Sequence, residues 1–332
     1  LDQSQRQILN LPLVSKFMIN TTSNPRLGYY GIGTVDDAVK RILEENGLPF
    51  LPKNIEKTQT VDKVEGKNET PIDLIFHLSK KCKPIKGAAG FFFYETQEGF
   101  NFRSVEGLIN DGIAEFKENR NLEEERTYYY SNSQKQDLST DKMDFNILKM
   151  PIVKRDQDLL TSLKSGVYNV RIQTKNLLTG QFTDNIVNLL DKNSSYLGGK
   201  PSTKIGQNEQ HLENYCKTYT YVLTPGDLDE GVGSQVTNNP ATYEPQAHMR
   251  YAMLHSQVVD IIIPCNTKLM AGNVIKLMIE NITGGIKQDN KQNENRSGFY
   301  LILHLRHHFN SKKSFTLLTL ARDTYGLYTS TK

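Results

Sequence analysis

SGFYLILHLRHHFNSKKSFTLLTLARDTY, residues Ser297–Tyr325, is the element around which the rest of the chain is organised. Two runs of alternating, mostly apolar residues, Gly298–Phe309 and Ser314–Arg322, flank the polar Asn310-Ser311-Lys312-Lys313, the pattern of a β-hairpin with a short polar loop. Side chains alternate across a strand. With the register set by the loop, Leu305 faces Leu318 and Leu303 faces Leu320, an aliphatic face that has to be buried. The other face carries Tyr300, Ile302, His304, Arg306 and His308 beside Phe315, Leu317 and Thr319. That mixed wall suits packing on protein while still reaching water.

Two more strands precede it. Gln257–Ile263 points Val259, Ile261 and Ile263 one way, and Val274–Ile282 does the same with Ile275, Leu277 and Ile279. Pro264-Cys265-Asn266 and Ala271-Gly272-Asn273 carry turn chemistry between them. The last ~80 residues therefore read as antiparallel strands numerous enough for a small barrel or half of one.

A chain of 332 residues predicts about two domains and can bury a sizeable core. Mean hydropathy is -0.53, and no apolar run is long enough to cross a bilayer. A net charge of +3 makes no case for a nucleic-acid or membrane-surface binder, which points to protein partners. The cysteines Cys82, Cys216 and Cys265 form neither a C-x-x-C motif nor a disulfide framework, so a reducing compartment fits. The first residue is Leu rather than Met and no signal-peptide pattern follows, so the numbering is expected to begin inside a longer chain.

Leu1–Arg26 is polar around the apolar patch Ile8–Val14, the end of a preceding barrel or a linker. Thr34-Val35-Asp36-Asp37 opens a helix with the stripe Ala38, Ile42 and Leu43, stopped at Gly47. A second helix starts at Thr70-Pro71, runs through Leu74, Ile75 and Leu78, and ends in lysines that complement its dipole. Gly90–Tyr94 and Gly99–Ser104 then flank a turn as a hairpin, so 29–110 forms a helix, connector, helix and hairpin module. Beyond it, Arg126–Ser131, Asn146–Lys154 and Gly166–Gln173 alternate like strands, Asp158–Leu163 and His248–Ser256 read as helices, and Asp191–Gln210 and Pro225–Tyr243 as long loops. Gly284–Arg296 is a polar excursion between strands.

Little in this chain spells chemistry. His304, His307 and His308 have tempting ligand spacing, but on a strand His307 points away from the other two, and no nearby Cys, Asp or Glu completes a shell. Histidines in an interface are the preferred reading. Gly31-Ile32-Gly33-Thr34 lacks the third glycine of a phosphate loop and is followed by Asp36 and Asp37, so a glycine turn into a capped helix is preferred. Lys80–Lys86 reads as a solvated helix end, and the Phe91–Tyr94 aromatics as a hairpin core. No G-x-S-x-G, H-E-x-x-H or Cys–His arrangement supports an enzyme.

TPIDLIFHLSKKC (Thr70–Cys82) followed by GFFFYETQEGFNFRSVEGLI (Gly90–Ile109) resembles the central baseplate hub family of contractile-tailed bacteriophages. In the same order, SLKSGVYNVRIQTKNLLTGQF (Ser162–Phe182), Leu269–Ile275 and the terminal hairpin continue the resemblance, which covers most of residues 29–325. It implies an α+β chain with a tail-tube-like antiparallel β-barrel, a helix/hairpin module and long loops. The implied layout is 1–28 as the end of a first barrel or a linker, 29–110 as the module, 111–325 as the second barrel with insertions, and 326–332 as a tail.

The implied role is structural, with no enzymatic activity, cofactor or metal. Three copies form a homotrimeric ring that adapts the tail tube to a central spike, which often bears a lysozyme domain. The implied partners are the spike, the tail tube protein, other baseplate proteins and, passing through the lumen, viral DNA. The setting would be the virion's tail baseplate, assembled in the host cytoplasm. Arg103, His304, Arg306, His308, Lys312 and Lys313 are the candidate subunit or partner contacts. The hub half of a type VI secretion-like spike is a neighbouring alternative, and a tail-associated hydrolase using the histidines is the alternative from another class.

Overall fold

A computed structural model describes residues 13–22, 26–130, 144–156, 158–177, 179–188, 195–199, 204–205, 210–211, 217–223, 239–280, 293, 295–311 and 313–325. Its helices are α1 (Lys16–Thr22), α2 (Val35–Glu45), α3 (Pro71–Lys81), α4 (Val105–Glu118), α5 (Arg120–Glu125), α6 (Leu159–Ser165) and α7 (Pro240–Leu254). The first strands are β1 (Arg26–Thr34), β2 (Phe50–Ile55), β3 (Val61–Glu69), β4 (Phe91–Thr96), β5 (Gly99–Ser104), β6 (Thr127–Tyr130), β7 (Ile152–Asp156) and β8 (Asn169–Asn176). They are followed by β9 (Phe182–Asn188), β10 (Lys204–Ile205), β11 (Gln210–His211), β12 (Lys217–Leu223), β13 (Gln257–Pro264), β14 (Val274–Ile279), β15 (Gly298–Phe309) and β16 (Ser314–Arg322).

The N-terminal module is built as its helix signals predict. The Thr70 hydroxyl accepts the Asp73 N–H at 3.2 Å and Pro71 occupies the first turn of α3. In α2, Thr34 instead donates to Asp37 at 2.9 Å, while the buried Asp36 accepts from the Thr58 N–H and hydroxyl, both at 3.0 Å. Burial alone would raise the Asp36 pKa, but those bonds and Lys40 hold it below the usual carboxylate value. Val39, Ile42, Leu43 and Ile75 pack with Phe91 and Phe102, whose rings stack at 4.8 Å.

The stretch expected to be a bare connector supplies two strands. β3 pairs with β1 in an antiparallel ribbon, and β2 joins the β4–β5 hairpin in parallel. Charged residues dilute the alternation of Val61–Glu69, and glycines dilute that of Arg26–Thr34, which hid both from a pattern reading. Nearly all of the Ile8–Val14 patch lies outside the described residues, as do most of the Asp191–Gln210 and Gly284–Arg296 stretches.

Helix α4 runs straight across position 110, the expected end of the module. The Ser104 hydroxyl caps it, accepting the Gly107 N–H at 2.9 Å, and Val105, Leu108, Ile109, Ile113 and Phe116 form its buried stripe. At the other end of the chain, α7 starts at Pro240, inside the segment expected to be loop, with Asn239 as its cap. Leu254 from α7, Leu301 and Ala321 from the sheet, and the α4 stripe make one core that joins module and sheet.

The terminal strands form a six-stranded sheet in the order β6-β14-β15-β16-β13-β7. Val259, Ile261 and Ile263 share its core face with Ile275, Leu277 and Ile279, as the alternation predicts. Two expectations are corrected. First, the sheet is not a closed antiparallel barrel: β6 pairs with β14 in parallel, and among the described residues no ladder joins β6 to β7. The sheet curls instead, so that Tyr130 on β6 and Val153 on β7 line one small cavity with Val259 and Tyr300. Two single bonds span the gap: Ile147 N–H to Tyr129 O and Leu148 N–H to Ile262 O, each 2.8 Å.

Second, Leu303 does not face Leu320. The register passes from Ile302↔Leu320 to His304↔Thr319, a β-bulge that leaves Leu303 without an opposite residue and turns it toward the α4 core. Tyr300 and Ile302 consequently lie on the buried face with Leu305, Leu318 and Leu320. A smaller sheet, β12-β8-β9, packs on α7 through Val170 and Ile172 against Met249 and Met253.

Gly112 sets how closely α4 approaches β14, since a Cβ there would lie 2.2 Å from Cγ2 of Val274. Gly112→Ala gains about 1 kcal/mol of helix propensity but overpacks the contact at a cost of about 1–3 kcal/mol. Urea unfolding should show a net loss for Gly112→Ala, smaller in a Val274→Ala background. Stabilisation in both backgrounds would refute this packing.

Candidate functional site

Among the described residues no group of three His, Cys, Asp or Glu side chains comes together to hold a metal ion. What stands out is one buried charge cluster and one projecting sheet edge.

Arg250 of α7 is fully buried between Glu106 of α4 and Asp323, the residue that follows β16. Its Nη1 donates to Asp323 Oδ2 at 2.9 Å, and its Nε lies 3.3 Å from Glu106 Oε1, an ion pair out of line for a hydrogen bond. Burial alone would lower the Arg250 pKa, but the two carboxylates hold it above its usual value. The segment Ser195–Gly199 wraps the cluster: Arg250 Nη2 donates to Ser195 O, Ser195 N–H to Glu106 and Leu197 N–H to Asp323, each at 2.9 Å. Gly198 is required here, since a Cβ would lie 2.4 Å from the Thr324 carbonyl. The cluster ties helix, helix, sheet and loop together at one point, and it fixes where the β15–β16 hairpin leaves the body.

From that root the hairpin projects. β14 covers the edge of β15 through Leu301, extended one residue by Ile302 N–H to Asn273 O and Gly272 N–H to Ile302 O, both 2.9 Å. At the tip, Asn310 N–H donates to Lys313 O at 3.0 Å. By antiparallel alternation, His308 and Arg306 then bond across to β16, while Leu305, His307 and Phe309 turn their N–H and C=O groups outward. Among the described residues no strand pairs with that outer edge. Phe309 is 66% exposed at its end.

The structure brings His304, Arg306 and His308 together on the solvent face of this arm, with His308 stacked on Phe315 at 4.6 Å. His307 points to the opposite face and bonds the Thr316 hydroxyl at 2.9 Å. Lys313 is exposed at the tip, and Lys312 lies outside the described residues. Arg103 is elsewhere, on β5, engaged with Asp111, with Lys53 O at 3.4 Å and with Glu56 at 3.5 Å. Glu106, Arg250 and Asp323 escaped sequence reading because their partners lie far apart in the chain. The one available signal was an arginine on the buried side of a helix.

No protein-family model matches the chain, and no curated protein does. Among solved structures it is similar to the tail protein from Neisseria meningitidis MC58, with a TM-score of 0.46 and 11% identity over 92% of this chain and 71% of that one. It is also similar to the 43 kDa tail protein of prophage MuSo2 from Shewanella oneidensis, with a TM-score of 0.46 and 9% identity over 91% of this chain and 68% of that one.

The charge cluster makes a sharp energetic statement. Arg250→Met leaves two buried carboxylates without their cation and should cost about 3–5 kcal/mol in chemical denaturation. Adding Glu106→Gln and Asp323→Asn should recover part of that loss, because the neutral groups no longer repel. Three independent, additive losses would contradict a coupled cluster.

Proposed function

We propose that the chain is a structural subunit of a contractile bacteriophage tail: a baseplate hub protein whose copies close into a homotrimeric ring between tail tube and central spike. The observation that carries this reading is the twelve-residue strand β15, of which the outer edge beyond Ile302 has no pairing strand among the described residues. An open, straight edge is a liability that folded proteins cover, charge or twist away. Here it ends in an exposed phenylalanine, so coverage by a neighbouring subunit is the economical solution. In a cyclic ring the contact repeats head to tail, with the edge of one copy meeting a different surface of the next.

The motif resemblance along residues 29–325 supplies the assembly in which such a ring is at home. His304, Arg306, His308 and Lys313 form the polar rim through which subunits, spike, tube or other baseplate proteins make contact. Viral DNA meets the ring only in passing through its lumen. The role is architectural and non-catalytic, and its setting is the virion tail, assembled in the host cytoplasm. The hub part of a type VI secretion-like spike is the same architecture in another machine.

His307→Pro is the discriminating variant, since proline is tolerated where an edge N–H points outward and removes that donor from any added strand. By sedimentation, the wild-type chain should have about three times the mass of one copy, alone or with its tube and spike proteins. His307→Pro should remain folded and monomeric. A wild-type chain that stays monomeric with tube and spike proteins present, or a variant that trimerises equally well, would overturn the proposal. Peptidoglycan cleavage that disappears in His304→Ala would instead favour a hydrolase.

A further inference from the structure

A ring built on the β15 edge needs a second open edge on the same chain, one that the next copy can present to it. β9 is such an edge. It ends the order β12-β8-β9, and among the described residues no strand pairs with its far side. Its sequence, FTDNIVN, holds neither lysine nor proline, and its pairing with β8 runs without a bulge, so it has none of the devices that keep sheet edges apart. Its single charge, Asp184, is balanced by Arg171, whose Nε and Nη2 donate to the two carboxylate oxygens at 2.8 and 2.7 Å. The other edges fit less well. β7 is short and carries Lys154 and Arg155, β6 is bridged to Asn146 through Tyr129, and β12 has no acidic residue.

The register of β9 decides what it offers. Asn176 N–H donates to Gln181 O at 2.9 Å, and antiparallel alternation from that pair makes Thr183, Asn185 and Val187 bond inward to β8. Phe182, Asp184 and Ile186 therefore turn their N–H and C=O groups outward, with their side chains on the face away from α7. On β15 the outward set is Leu305, His307 and Phe309. Residues that exchange hydrogen bonds in an antiparallel ladder stand directly opposite each other, so the two sets can meet one to one.

One register matches all three. Leu305 then lies on Ile186, His307 on Asp184 and Phe309 on Phe182. Ile186 and Phe182 are 56% and 59% exposed, and Phe309 is exposed as well, so this pairing covers three apolar side chains that the single chain leaves in water. His307 uses Nδ1 toward Thr316, which leaves Nε2 for the Asp184 carboxylate. A slip of two residues sets Asp184 against Leu305 or Phe309 and loses one of the three pairs; a slip of one turns the matched faces apart. We propose that β9 of one copy adds to the outer edge of β15 in the next, antiparallel, with Asp184 opposite His307. The inference rests on the ring reading and names the surface that receives the edge.

The test uses the full chain carrying Asn185→Cys and Arg306→Cys. In this register the two positions form a non-hydrogen-bonded pair with Cα atoms about 4.5 Å apart, a separation that a disulfide spans. Both side chains are exposed. Oxidation with copper phenanthroline should link the double variant between copies, up to a covalent trimer, beyond the wild-type level and reversibly on reduction. Neither single variant should cross-link by itself, whereas an equimolar mixture of the two should give a covalent dimer. A trimer by sedimentation that lacks these cross-links would overturn the proposal and leave the ring standing; a strict monomer would overturn both. Cross-linking of Arg306→Cys with itself would mean that β15 meets β15, which also overturns it. As a second measurement, Phe182→Asp sets a charge into an apolar pair and should weaken self-association by about tenfold or more. Unchanged association of that variant would contradict the pairing.

Discussion

The buried guanidinium of Arg250 ties the N-terminal module, α7 and the terminal sheet together at one point. A lone buried arginine would be prohibitive, so Glu106 and Asp323 must both reach it. Those carboxylates come from a helix of the N-terminal half and from the end of the last strand. Satisfying one charge thereby fixes the spacing of module and sheet. The close contact of Gly112 with Val274 and the shared apolar core around α4 follow the same geometry. The same cluster also takes up the Ser195 and Leu197 amides, which bond Glu106 and Asp323 at 2.9 Å.

The second consequence lies in the hairpin that leaves this anchor. Up to Ile302, β15 is an interior strand buried on both faces; beyond the bulge at Leu303 it is an exposed arm. The bulge lets one strand do both. It turns Leu303 inward to α4, keeps Leu305 over Leu318, and sets His304, Arg306 and His308 outward. One extra residue separates the part of the strand that holds the fold together from the part available to a neighbour.

Much of this was legible in the sequence. The helices α2 and α3, the β4–β5 hairpin and the four terminal strands form where their periodicity and turn or cap signals predict, apart from the bulge in β15 and the Thr34 side chain, which does not cap α2. The outward set His304, Arg306 and His308 was readable because the two-residue period resumes after the bulge, whereas the single-residue slip at Leu303 leaves no compositional trace. Helix α4 was legible in principle, since Val105, Leu108, Ile109, Ile113 and Phe116 keep helical spacing, but Gly107 and Gly112 interrupt the pattern at the expected module boundary. The parallel pairings β6 with β14 and β8 with β12 were not legible, because local pattern does not encode long-range partners.

In the proposed assembly, the outer edge of β15 is completed by another copy of the chain. Amide hydrogen exchange of Leu305, His307 and Phe309, compared between the isolated chain and the assembled ring, tests it directly. Fast exchange is expected at all three in the isolated chain and strong protection on assembly, with little change at Arg306 and His308, whose amides already bond across the hairpin. Equally fast exchange of Leu305, His307 and Phe309 in both states would contradict it.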